Sequence, residues 1–173
     1  MQYERIESKD YNTFHRLLED YYRDGEDADT PQDEIDSFIQ MLFGMILEHK
    51  MESCFAKNDG SLIGFVLWAI DTEELPFSEM TGAGTILEIG VISAFRSSGF
   101  GKQIVLDTEK QILSKGSSLC YVSAYGPAQE FWARCGYTFN GLTAGNGLPI
   151  MVRNIEELGE SRAGETAEKW VGK

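Results

Sequence analysis

The chain has 173 residues, 42 % hydrophobic and 25 % charged, which is enough for one domain with a core of its own. Its net charge of −13 argues against nucleic acid, which selects clustered Lys and Arg, and equally against an anionic membrane surface. Every apolar run is too short to span a bilayer and the leading MQYERIESKD is polar, so a soluble, cytoplasmic protein is expected.

YERIE at residues 3–7 alternates well enough for an edge strand. Phe14, Leu17, Leu18 and Tyr21 then recur at helical spacing. DGEDADTP breaks that helix, and Pro31 can start a second one striped by Ile35, Phe38, Ile39, Leu42 and Ile46. MESCFAK is a strand, NDG a hairpin turn, and SLIGFVLWAI a near-continuous apolar strand suited to the middle of a sheet. A polar, glycine-containing loop at about 72–84 leads to the strand TILEIGVI. After RSSGFG, Ile104, Val105, Thr108 and Ile112 mark one face of a helix ending near Gly116. LCYVSAY is a strand, PAQEFWARC a short helix with Pro127 at its start, and YTFNG and LPIMVRN are two closing strands. The order β-α-α-β-β-β-α-β-α-β-β predicts an α/β fold, a central mixed sheet with helices on both faces, over residues 1–154. Residues 155–173 are polar and predict a loosely attached or disordered tail, Trp170 touching the body.

Three cysteines, Cys54, Cys120 and Cys135, are an odd number without metal-ligand spacing, so buried free thiols are expected. His15 and His49 fall in separate predicted helices, and no metal site is assigned.

The turn after TILEIGVI carries the most chemistry. Gly99 and Gly101 allow a tight turn and close approach of a ligand to the backbone. Successive N–H groups from Ser97 to Lys102 can converge on one anion at a helix start, with Arg96 and Lys102 adding charge. A phosphate or pyrophosphate is the ligand this suits. Taken alone, R-x-x-G-x-G is equally compatible with a structural turn. It lacks the GK[ST] of a P-loop, and it comes too late in the chain for a Rossmann fingerprint.

In context, Arg96-Ser-Ser-Gly99-Phe-Gly101 after a strand ending in Val91, followed by AQEFWARCGY at 128–137 after the next strand, resembles the GNAT superfamily, the Gcn5-related N-acetyltransferases. The resemblance covers about residues 3–154. It implies acetyl-CoA as cosubstrate, with Arg96, Ser97, Ser98, Gly99, Phe100, Gly101 and Lys102 as the pyrophosphate loop. It also implies that the backbone from Ile89 to Val91 pairs with the pantetheine arm, much as in strand addition. Gly90 is expected to mark a bulge that splays the fourth and fifth strands, with close packing as its alternative.

Transfer to an ammonium needs a base, and release of the thiol needs a proton donor. Glu88, an acid within an otherwise apolar strand, is the candidate base; a surface-facing Glu is the alternative. Where the family often has a tyrosine acid this chain has Trp132, whose indole does not titrate usefully. Trp132 is therefore expected against the pantetheine or in the core. Tyr125, where the family commonly has asparagine, is the candidate donor, with water or a purely packed tyrosine as alternatives.

Residues 19–36 carry nine acids against one arginine. In the resemblance this segment borders the acceptor, so an acidic rim suits a small cationic amine such as a polyamine or an aminoglycoside; a solvated helix-capping run is the alternative. Tyr21, Tyr22 and Trp68 fit either an acceptor pocket or the core. A homodimer is common in the family. An acetyltransferase acting by direct transfer is the first reading, and a non-catalytic acyl-CoA-binding or protein-interaction module the second.

Overall fold

The computed structural model describes residues 1–25, 29–159 and 170–171. The chain runs β1 (Gln2–Arg5), α1 (Tyr11–Arg23), α2 (Gln32–Leu47), β2 (Glu52–Asn58), β3 (Ser61–Ile70), β4 (Gly84–Val91), α3 (Phe100–Ser114), β5 (Leu119–Ser123), α4 (Gly126–Arg134), β6 (Thr138–Thr143), β7 (Pro149–Asn154) and β8 (Trp170–Val171). Short 3-10 turns at Ser8–Asp10, Ser93–Phe95 and Glu156–Gly159 connect some of them. The eleven elements read from the sequence occur in that order, and β8 is an addition. Much of the expected tail lies outside the described residues. Its β8 pairs parallel with β1, so β1 is not the edge strand it was expected to be.

The strands form one mixed sheet in the order β6-β7-β5-β4-β3-β2-β1-β8. The apolar SLIGFVLWAI strand is β3, and it is central because both of its faces are covered. On one face, Phe14 and Leu18 of α1 and Ile39 and Leu42 of α2 pack on Phe65 and Leu67. On the other, Ile104 and Ile112 of α3 and Trp132 of α4 pack on Val66, Trp68 and Ile86. Trp68 thus belongs to the core on the α3 side, away from α1 and α2, and is not a pocket residue of that helical face. All three cysteines are free and buried.

The break that positions the site lies between β4 and β5. These parallel strands pair only at Gly84↔Cys120 and Thr85↔Tyr121. Beyond Thr85 the edge of β4 that faces β5 leaves the ladder, while β3 stays bonded to its other edge as far as Val91. The bulge in β4 is not at Gly90. The register against β3 slips between Leu67 and Trp68, where Glu88 and Ile86 are the partners and Leu87 is the extra residue. Gly90 is a close-packing glycine: a Cβ there would stand 2.3 Å from Cε1 of Phe65.

Candidate active site

The open side of β4 leads into a cleft of about 600 Å³. Its floor is the backbone of Ile89, Gly90 and Val91, and one end is the turn contributing Arg96, Ser97, Gly99, Gly101 and Lys102. Ala128, Phe131, Trp132 and Cys135 form the far wall. Those four recur at i, i+3, i+4 and i+7, so the stripe was legible as a helix face, although only Trp132 was singled out. Phe95, Arg134 and, from α1 and the two residues after it, Tyr21, Asp24 and Gly25 complete the rim.

The turn has the local geometry its residue types demand. Gly99 stands in the left-handed region at φ 83° as the residue before α3, and Ser97 is left-handed too, at φ 62°. A non-glycine residue held there costs about 1 kcal/mol or more, a strain characteristic of ligand clamps. The first backbone bond of α3 runs from Gln103 N–H to the Gly99 carbonyl. The amides of Phe100, Gly101 and Lys102 precede it and are the helix's open donors. Gly101 packs closely: a Cβ would meet the Phe131 ring at 3.2 Å, which would have to give by a few tenths of an ångström, and Val91 at 3.7 Å. Phe100 does not itself line the cleft but packs edge-on, at 6.3 Å, against Phe95, which does. Ser98, exposed, is also outside the lining.

Arg96 is anchored at both ends of its guanidinium. Its Nε donates to the Val91 carbonyl at 2.9 Å and its Nη2 to Asp24 at 2.9 Å, tying the end of α1 to the turn. About half of each side chain is exposed, so this pair contributes little to stability. Lys102 is exposed at the cleft. An acidic chain therefore presents three cations, Arg96, Lys102 and Arg134, around one cavity.

Glu88 is half-buried in β4. The bulge turns Glu88 and Leu87 toward the α1 side, while Ile86 and Ile89 face α3. There the Tyr22 hydroxyl donates to Oε1 of Glu88 at 2.8 Å. Tyr125 is not the last residue of β5 but precedes α4, its carbonyl accepting from the amides of Ala128 and Gln129. It is half-buried and does not line the cleft. Trp132 is 6 % exposed and lies edge-on to Phe131 and Tyr137, each 5.1 Å away, so it is a core residue and a wall of the cleft at once. Of the acidic segment, residues 26–28 lie outside the described residues. Asp36 is bonded to His15 and Gln32, Glu19 to Gln32, and Asp24 to Arg96. Asp20 joins Asp24 and Arg96 around a smaller cavity of about 250 Å³ between α1 and the end of β4.

The model of the acetyltransferase (GNAT) family matches residues 11–137. The chain belongs to this family. It is an acetyl-CoA-dependent N-acetyltransferase in general class. Solved GNAT structures share the fold. A GNAT-family protein from Desulfovibrio desulfuricans superposes with a TM-score of 0.68 at 18 % identity, over 88 % of this chain and 98 % of that one. PaiA N-acetyltransferase from Thermoplasma acidophilum, in complex with coenzyme A, gives 0.67 at 16 % identity, over 89 % and 99 %. Aminoglycoside 6'-acetyltransferase type Ii gives 0.61 at 20 % identity, over 90 % and 97 %. No curated protein matches the chain by sequence. The residues present fit the GNAT cosubstrate: open amides at a helix start, a cradle that a Cβ at Gly101 would fill, and cations for a diphosphate.

Proposed function

We propose that this GNAT enzyme transfers the acetyl group of acetyl-CoA directly to a primary amine of a small, cationic acceptor. The observation that carries the reading is the parting of β4 from β5, with the Arg96–Lys102 turn at one end of the opening and the Glu88 carboxylate on the same strand.

Acetyl-CoA supplies the acetyl group as a thioester, open to attack by an amine. The amides from Ser97 to Lys102, with Arg96 and Lys102, bind its diphosphate. The unpaired edge of β4 from Ile89 to Val91 offers N–H and C=O groups to its amide-bearing arm. Trp132 and Phe131 exclude water along the opposite wall. Glu88 takes the proton of the acceptor ammonium, through a water, and so frees the nitrogen lone pair. The departing sulfur takes its proton from water, because Tyr125 lies outside the cleft lining. After attack the nitrogen loses its second proton to water and Glu88 returns its own to solvent, so the products are the acetamide, free CoA thiol and one released proton, with no net change in the protein.

The acidic residues of α1, the following loop and α2 support a cationic acceptor by lowering the potential on the acceptor side. Asp20, Asp33 and Glu34 are exposed there. Aminoglycoside acetyltransferases are among the proteins with this fold, which agrees with a small amine acceptor.

The test begins with a thermal melt in excess acetyl-CoA, with ATP and NAD as controls. Ligand at a hundred times its Kd stabilises by about 2.7 kcal/mol, a rise of roughly 5–10 °C for a chain of this size. Thiol release is then followed with spermidine, kanamycin and a lysine peptide. Intersecting initial-rate lines support direct transfer, and parallel lines overturn it. If Glu88→Gln keeps full turnover, the base is elsewhere.

A further inference from the structure

The hydroxyl on Glu88 belongs to a residue that neither the turn nor the cleft explains. Tyr22 sits in the last turn of α1 and is 7 % exposed. Its ring is wedged edge-on between Tyr21, at 5.2 Å, and Phe38 of α2, at 5.7 Å. Two helices therefore hold the phenol ring, and its oxygen reaches Oε1 of Glu88 at 2.8 Å. From the other side, the β4 bulge turns Glu88 toward that face. A glutamate side chain has three torsions, and a proton acceptor must be held in one geometry to act.

We propose that Tyr22 is the positioning residue of the acetyl transfer, its hydroxyl fixing the Glu88 carboxylate in the rotamer that receives the acceptor's proton. The inference rests on the reading of Glu88 as base. It assigns the end of α1 a role in turnover distinct from cosubstrate binding. The hydrogen bond also favours the charged carboxylate over its protonated form. Near the end of β4, α1 contributes Asp20, Tyr21, Tyr22 and Asp24, the last paired with Arg96, while β3 presents apolar Leu67 opposite Glu88.

The test is a double-mutant cycle of Tyr22→Phe and Glu88→Gln on the full chain. Tyr22→Phe keeps the packed ring and removes only the hydroxyl. Rates are read as thiol release from acetyl-CoA with spermidine, or with water as acceptor if spermidine is not turned over. Tyr22→Phe is expected to lower kcat by a factor of about 3–10, the worth of one hydrogen bond. KM for acetyl-CoA stays within error, and the melting temperature falls by no more than the few degrees that one hydrogen bond is worth. The acid limb of the rate profile moves to higher pH, because the charged base has lost a donor. The double variant turns over no more slowly than Glu88→Gln alone. Additive losses, or a rate loss that survives in the Glu88→Gln background, overturn the positioning role while leaving Glu88 as base. An unimpaired Glu88→Gln overturns both. A Tyr22→Phe enzyme with wild-type kcat and profile, beside an impaired Glu88→Gln, overturns the inference alone.

Discussion

Gly64→Ala tests whether the floor of the cleft is built by backbone contact. Gly64 lies on β3 opposite Val91 of β4. A Cβ there would stand 2.0 Å from the Gly90 carbonyl oxygen, 3.0 Å from its carbon and 3.1 Å from Cα of Val91. All three atoms are main chain, so no rotamer change relieves them. Restoring an ordinary non-bonded separation of about 3.5 Å needs a shift of roughly 1.5 Å. Overpacking of this kind costs about 1–3 kcal/mol, against about 0.4–1 kcal/mol returned by the stiffer unfolded chain. The net loss, near 2 kcal/mol at the upper end, lowers the melting temperature by about 4–8 °C. Gly44→Ala is the matched control. Gly44 is inside α2 with nothing within 4 Å of the added methyl, so alanine there should raise the melting temperature by about 1–4 °C. Because Gly90 and Val91 line the cleft, Gly64→Ala should also weaken acetyl-CoA binding, which Gly44→Ala leaves intact. Calorimetric melts and a ligand titration on the two variants suffice. A Gly64→Ala protein that melts at or above wild type refutes the close contact of β3 and β4.

Arg153→Met strands Glu109, which is fully buried and held at 2.7 Å by that guanidinium. Breaking such a pair costs about 3–5 kcal/mol, a fall of roughly 6–20 °C at neutral pH. Burial pushes the Glu109 carboxyl up despite Arg153, so protonation relieves the variant and its deficit should shrink as pH falls; a pH-independent deficit counts against this. Asp71 behaves oppositely. Burial pushes its carboxyl up, but bonds from Ser78, Tyr121 and the amides of Met80 and Glu79 outweigh it and hold the group below the ordinary range. Its stabilisation is therefore present above about pH 4 and lost below. Asp71→Asn should flatten the acid side of the melting curve, and an unchanged slope sinks the assignment. Burial pushes the Cys54 and Cys120 thiols up to about 12, so maleimide should leave both unlabelled in the native protein. Cys135, on the cleft wall, should label first and be protected by CoA; equal labelling of Cys120 contradicts the packing.

The order of elements was legible because each carries its own period: Phe14, Leu17 and Leu18 at helical spacing, SLIGFVLWAI as an unbroken buried strand. The turn was legible because Gly99 and Gly101 have local roles, one at a positive φ and one in close contact with Phe131. What escaped the sequence depends on tertiary register. Gly90 looks like a bulge residue, but the bulge falls at Leu87, where only the pairing with β3 reveals it. Trp68 looks like a pocket aromatic until the strand's pleat puts it on the α3 face. Tyr22 and Glu88 are 66 residues apart, and nothing in either segment announces their hydrogen bond.

That bond and the parting of the strands have a common origin in β4. A strand in regular pairing would alternate its side chains strictly, and Glu88 would share a face with Ile86. With one extra residue at Leu87, the first half of β4 keeps Ile86 on the α3 core, and the second half sends Glu88 to α1 while Ile89 and Val91 return to the α3 side. The same strand leaves β5 after Thr85. Its C-terminal half therefore offers a bare backbone edge to a ligand and a carboxylate to the helical face within four residues. A regular β4 would bury one of these functions, so the irregularity in the strand that leads into the Arg96–Lys102 turn serves both.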